Sequence, residues 1–104
     1  MVFFTLGLLS AESETSYPGY LANNSNYTII MRVYKAIEPG TKAIGSAPIY
    51  SIPLEKGETY KINLPLGEYM VSVYNVQLKV WNAQNFKFKK EQTGADFVLQ
   101  YMIK

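Results

Sequence analysis

Residues 58–75, ETYKINLPLGEYMVSVYN, are the stretch whose reading decides the fold. Tyr60, Ile62 and Leu64 alternate with Lys61 and Asn63, a period of two that gathers the apolar set on one face of a sheet. Leu64-Pro65-Leu66-Gly67 follows, with Pro65 presetting its φ and Gly67 free to adopt positive φ. Alternation then resumes, with Tyr69, Val71 and Val73 on one face and Met70, Ser72 and Tyr74 on the other. Read locally, this is a hairpin of two strands joined by a tight turn. It carries no chemistry.

The same period runs outward in both directions. Residues 27–36, YTIIMRVYKA, place Tyr27, Ile29, Met31 and Val33 on one face and Thr28, Ile30, Arg32 and Tyr34 on the other. β-branched and aromatic residues dominate, so a strand is expected rather than a helix. Residues 48–53, PIYSIP, read as a short strand bracketed by prolines, which suits a sheet edge. Residues 76–81, VQLKVW, alternate again, and Asn75 between the two runs marks a bulge or a bend. Residues 86–91, FKFKKE, set Phe86 and Phe88 against Lys87 and Lys89, an edge guarded by lysines. Residues 96–103 place Phe97, Leu99, Tyr101 and Ile103 together. Turns are expected at Glu38-Pro39-Gly40, the following TKAIGSA, Leu54-Glu55-Lys56-Gly57 and Thr93-Gly94.

Two stretches lack this clear alternation between polar and apolar residues. Residues 12–25, ESETSYPGYLANNS, read as a polar connection around the Pro18-Gly19 turn signal. Asn23-Asn24-Ser25 and Asn26-Tyr27-Thr28 each match the N-glycosylation acceptor pattern, although turn chemistry alone accounts for them. Residues 1–11, MVFFTLGLLSA, are uncharged and mostly apolar. They resemble the apolar part of a secretory signal, but no Lys or Arg precedes the run. They are also shorter than the ~20 residues of a membrane-spanning helix. The expectation is a terminal strand or an arm exchanged with a neighbouring subunit, with a targeting segment as the alternative.

The sum is a single domain over residues 1–104, with seven or eight short strands and no helix. The fold class expected is all-β, one antiparallel β-sandwich, prealbumin-like or immunoglobulin-like. Half-polar alternation argues against a parallel sheet buried on both faces.

Composition narrows the chemistry. The 104 residues contain no cysteine and no histidine. Disulfides, thiolate metal sites and Ser-His or Cys-His nucleophiles are excluded, and the compartment stays open. The net charge is +2, with residues 79–104 carrying five basic and two acidic side chains. That imbalance is too small to argue for nucleic acid, although Lys79, Lys87, Lys89 and Lys90 lie near Trp81 and Phe86 in sequence. Glu55, Glu58, Glu68, Glu91 and Asp96 are the carboxylates left for acid–base work or a cation. They form no recognisable constellation or Asp-rich loop. No catalytic, cofactor-binding or metal-ligating residue is assigned, no cofactor is called, and no transmembrane span is expected.

If Tyr69, Val71 and Val73 face the core, Met70 and Tyr74 face out. Tyr34 opposes Val33 and Trp81 opposes Val80 in the same way. Tyr34, Met70, Tyr74 and Trp81 are therefore the candidate interaction surface.

The run from Ile49 to Asn75 resembles part of a transthyretin-like or carboxypeptidase-regulatory-like sandwich domain. In those families a strand leads into a Leu-Pro-x-Gly-x-Tyr turn and an x-Val-x-Val strand. Here these are Leu64-Pro65-Leu66-Gly67-Glu68-Tyr69, then Val71 and Val73. The resemblance covers about a quarter of the chain and implies a prealbumin-like accessory, adhesion or structural module. The function expected is a non-enzymatic structural or protein–protein module, self-associating, in a virion or surface assembly. The alternative is a ligand-binding module, for carbohydrate above all, using Trp81 with Tyr34 or Tyr74.

Overall fold

Seven strands make up the described part of the protein, residues 15–36 and 47–102 of a computed structural model. They are β1 (Ser16–Asn23), β2 (Ile29–Lys35), β3 (Tyr50–Leu54), β4 (Thr59–Pro65), β5 (Gly67–Asn75), β6 (Val80–Phe88) and β7 (Phe97–Tyr101). One 3-10 turn, Lys90–Gln92, precedes β7, and there is no α-helix among the described residues. The strands form a three-stranded sheet in the order β4-β1-β7 and a four-stranded sheet in the order β3-β2-β5-β6. The fold is an all-β sandwich, as the periodicity predicts. Residues 1–11, the turn at Glu38-Pro39-Gly40, most of TKAIGSA, and Ile103 lie outside the described residues.

The alternation of β2 and β5 translates directly into packing. Ile29, Met31 and Val33 pair with Asn75, Val73 and Val71, and all six are buried on the inner face. Leu21, Ile62 and Leu64 face them from the three-stranded sheet. Each fully buried aliphatic side chain of this kind contributes roughly 1.5–3 kcal/mol. At the end of the sandwich where β6 finishes, five rings fill the gap between the sheets. Phe88 packs edge-on against Phe97 at 4.9 Å and against Tyr17 at 5.9 Å, with Phe86 stacked on Phe88 at 5.7 Å. Tyr69 adjoins Phe86 at 6.3 Å.

The decisive stretch is not a hairpin. Among the described residues β4 pairs only with β1, and β5 pairs with β2 and β6, so Leu66 and Gly67 carry the chain from one sheet to the other. Both apolar sets do face the core, but from opposite sides. The turn chemistry is the same for a corner as for a hairpin. Gly67 has φ of +150°, and the Tyr69 hydroxyl donates to the Pro65 carbonyl at 2.6 Å across the bend.

Residues 12–25 are corrected more sharply, since Ser16–Asn23 form β1, the centre of the three-stranded sheet. Pro18 is tolerated because its partner Asn63 is turned away from it. The Asn63 N–H and C=O both bond to the Tyr50 hydroxyl, at 3.2 and 3.1 Å, so the pair needs no N–H from Pro18. Pairing with β7 starts only at the next residue, Gly19 opposite Phe97. Gly19 is required by close approach, because a Cβ there would run into the Phe97 ring. The β1–β7 pair is parallel, the one departure from an otherwise antiparallel sandwich among the described residues.

Residues 76–81 are the third correction. Val76–Lys79 is the β5–β6 turn, and β6 runs on unbroken through Asn82-Ala83-Gln84-Asn85. Asn75 marks the bend: its Oδ1 accepts from the Leu78 N–H at 2.9 Å, and Lys79 takes φ of 57°. Pro53 sits in β3, an edge strand, as the bracketing prolines predict.

Asn23 ends β1 and is fully buried. Its Nδ2 donates to the carbonyls of Tyr27 at 2.6 Å and Leu54 at 3.0 Å, while its Oδ1 accepts from the Ser25 N–H at 3.0 Å and hydroxyl at 2.6 Å. Leucine at this position leaves those groups without partners, at about 1–3 kcal/mol for each buried one. Asn23→Leu is expected to lower stability in urea titration by at least about 2 kcal/mol. Gly19→Ala should cost about 1–3 kcal/mol through overpacking. Combining it with Phe97→Leu should cost less than the two losses added, because the clash goes with the ring.

Candidate interaction surfaces

The four residues predicted as an interaction surface share the outer face of the four-stranded sheet, in two separate rows. Tyr34 lies opposite Met70, and Tyr74 opposite Trp81. Between the rows stand Arg32, Ser72 and Ala83. Four residues of strand separate Met70 from Tyr74, about 13 Å. Met70 is buried, only 6 % exposed, and Tyr34 is partly buried. The Met70 row thus offers little surface.

The second row is different. Trp81 is 60 % exposed, with the Tyr74 ring 4.7 Å away at 41° and the Arg32 guanidinium 5.7 Å from the indole centroid. The Arg32 Nε donates to the Ser51 hydroxyl at 3.2 Å, which holds the side chain across the sheet. Ile30 completes the row opposite Tyr74. Arg32 belongs to this patch and was not among the residues singled out from sequence. Its signal was there, since Arg32 alternates with Ile30 and Tyr34 on the outward side of β2.

A second surface arises from the unequal sheets. Among the described residues three strands face four, and the inner face of β6 is covered at only one end. Phe86 and Phe88 pack into the ring cluster, but Asn82 and Gln84 are exposed and Val80 is 44 % exposed. A cleft of about 390 Å³ lies here between β6 and β7. Met31, Val71 and Val73 line its floor, Asn82 to Phe86 one wall, and Val98 to Met102 the other. Val98 and Met102 are 54 % and 55 % exposed at the rim. β7 pairs with β1 on one side, and no described strand pairs with its other edge. No local signal in the sequence reveals this cleft, because it is created by the number of strands in each sheet.

The remaining candidates stay dispersed. Lys79 lies in the β5–β6 turn, whereas Lys87, Lys89 and Lys90 cluster around the far end of β6, about 26 Å along the strand. They form no track past Trp81. The Glu58 carboxylate accepts from the Glu55 N–H at 2.7 Å, and the Glu55 carboxylate accepts from the Thr28 hydroxyl at 2.8 Å; both organise turns. Glu91 and Asp96 are exposed. No group of three potential metal-ligating side chains occurs among the described residues. Nor is any described helix long and apolar enough to cross a membrane. Of the two glycosylation patterns, Asn23 has its amide buried and bonded, so the folded chain cannot accept a glycan there; Asn26 is exposed.

No protein-family model, curated protein or solved structure matches this chain.

Trp81 is the chain's one tryptophan, so its fluorescence reports the outer face without interference. Ready quenching by acrylamide and a red-shifted emission are expected for the isolated domain. Strong protection in the monomer would mean that the patch is covered.

Proposed function

We propose that this domain is a non-enzymatic protein–protein interaction module that associates with copies of itself. The observation that carries the reading is the apolar surface left in solvent along the β6 side of the sandwich. Val80 and Trp81 are exposed on opposite faces of one strand, and Val98 and Met102 stand beside the cleft. Surface of this kind, gathered around an open strand edge, marks a contact site rather than a finished exterior. The resemblance of residues 49–75 to transthyretin-like sandwiches points to the same class, a structural or adhesion module. A virion or surface assembly would use such a domain.

Assembly would work by burial. A Trp–Tyr pair beside an arginine has the composition of an interface centre, where aromatic and Arg side chains carry most of the energy. The open edge of β7 adds backbone groups to which a partner can hydrogen-bond.

A second reading places a carbohydrate on the outer face. Trp81 is exposed enough to stack on a sugar, and Arg32 is held beside it by Ser51 to donate hydrogen bonds. The 41° tilt between Trp81 and Tyr74 leaves one flat ring rather than a two-ring platform.

Light-scattering chromatography of the full chain and of Trp81→Ala separates these readings. Self-association predicts a full-length mass above the monomer, lowered by the substitution if the Trp81 patch takes part. A monomeric full chain that retains glycans on an array, and loses them in Trp81→Ala, would replace the first reading with the second.

A further inference from the structure

The cleft between β6 and β7 has the shape of a missing strand. Placed beside β7, a fourth strand in the three-stranded sheet would lie over the inner face of β6. It would cover Val80, Asn82 and Gln84, together with the cleft floor of Met31, Val71 and Val73. Sheets pack about 10 Å apart with inward side chains interdigitating, so one added strand fills this space with a single row of alternate side chains. The row must be apolar to match the floor. Its backbone must bond to the open edge of β7.

The chain itself carries a segment of that description. In residues 1–9, MVFFTLGLL, the alternate positions Val2, Phe4, Leu6 and Leu8 are all apolar, while Phe3, Thr5, Gly7 and Leu9 form a mixed opposite set. Seven residues of strand span about 23 Å, between the ~17 Å of β7 and the ~30 Å of β6. No charge interrupts the segment before Glu12.

The topology also bears on which copy supplies it. Ser16 pairs with Pro65, Gly67 with Phe88 and Gly19 with Phe97, so β1 begins at the end of the sandwich where β6 finishes and β7 starts. The 89–96 connection joins β6 to β7 at that end. To enter its own cleft, the segment leading into Ser16 would have to double back past the start of β7, where this connection also joins the strand, a close arrangement of connections at one end of a sheet that is rarely used. A neighbouring molecule meets no such obstacle.

We therefore propose that the β6–β7 cleft is the acceptor site for residues 1–9 of a second copy of this chain, which add to β7 as a strand. The proposal rests on the self-association reading and names its partner. The contact is strand addition, with main-chain hydrogen bonds supplying affinity and Val2, Phe4, Leu6 and Leu8 filling the cleft. It is also heterologous, since each molecule offers one donor segment and one acceptor cleft. Such contacts build rings or open filaments rather than closed two-fold dimers.

The test uses two full-length variants with opposite defects. Phe4→Asp with Leu6→Asp disables the donor segment and leaves the cleft intact. Asn82→Asp with Gln84→Glu disables the cleft with side chains of unchanged size, placing carboxylates where the apolar row would cover and desolvate them. Both cleft positions are exposed, and far-UV circular dichroism checks that each variant keeps its β signature.

The expected result by light scattering is an oligomeric wild type, a monomer for each variant alone, and a one-to-one heterodimer when the two are mixed. Retention of the wild-type mass by the donor-disabled variant would overturn the proposal while leaving self-association through another surface standing. Failure of the two monomeric variants to form a heterodimer would overturn it as well. A monomeric wild type would overturn both readings.

Discussion

Asn23 is the point on which the two sheets depend for their alignment. It ends the central strand of one sheet and donates to the carbonyl of Leu54 in the edge strand of the other. Its backbone meanwhile bonds to Gly57 and Glu58, the turn that starts β4. The turn from β1 to β2 closes on its Oδ1 through Ser25. A buried amide in this position stabilises only if all its partners are present, because each unsatisfied group carries a desolvation penalty. One residue therefore sets the spacing of two connections, β1–β2 and β3–β4, at one end of the sandwich. Nearby, the Asn75 amide meets the Tyr101 hydroxyl at 3.4 Å, a second polar link between the sheets.

The opposite end is held by packing. Gly19 gives up its side chain so that Phe97 can lie over the backbone of β1, and Phe97 gathers Phe86 and Phe88 around it. That arrangement seals the sandwich where β6 ends. Between the polar end and the aromatic end, no described strand lies above the inner face of β6. The β6–β7 cleft thus follows from the fold's arithmetic, four described strands against three, more than from any single residue.

Glu55 and Glu58 organise turns, Glu91 and Asp96 stand in solvent, and Lys79 lies at one end of β6 with Lys87, Lys89 and Lys90 at the other. The aromatic and aliphatic side chains left exposed on β6, β7 and Met102 are what a partner would meet. Exposed apolar surface beside an open strand edge is costly to leave uncovered and prone to pairing.

The sequence by itself determined the strand character of the chain, the inward and outward faces of β2 and β5, the edge position of the proline-bearing β3, and the outward placement of Trp81 and Tyr74. All of these rest on a period of two, which is a local property. Tertiary structure alone decided that Leu64-Pro65-Leu66-Gly67 turns a corner between sheets, because the turn residues for a corner and a hairpin are the same. It alone turned Tyr17-Pro18-Gly19 from a turn signal into a central strand: the ring of Phe97, far along the chain, needs the space that glycine leaves. And it alone created the β6–β7 cleft, since the number of strands in each sheet is fixed by long-range pairing that no window of sequence contains.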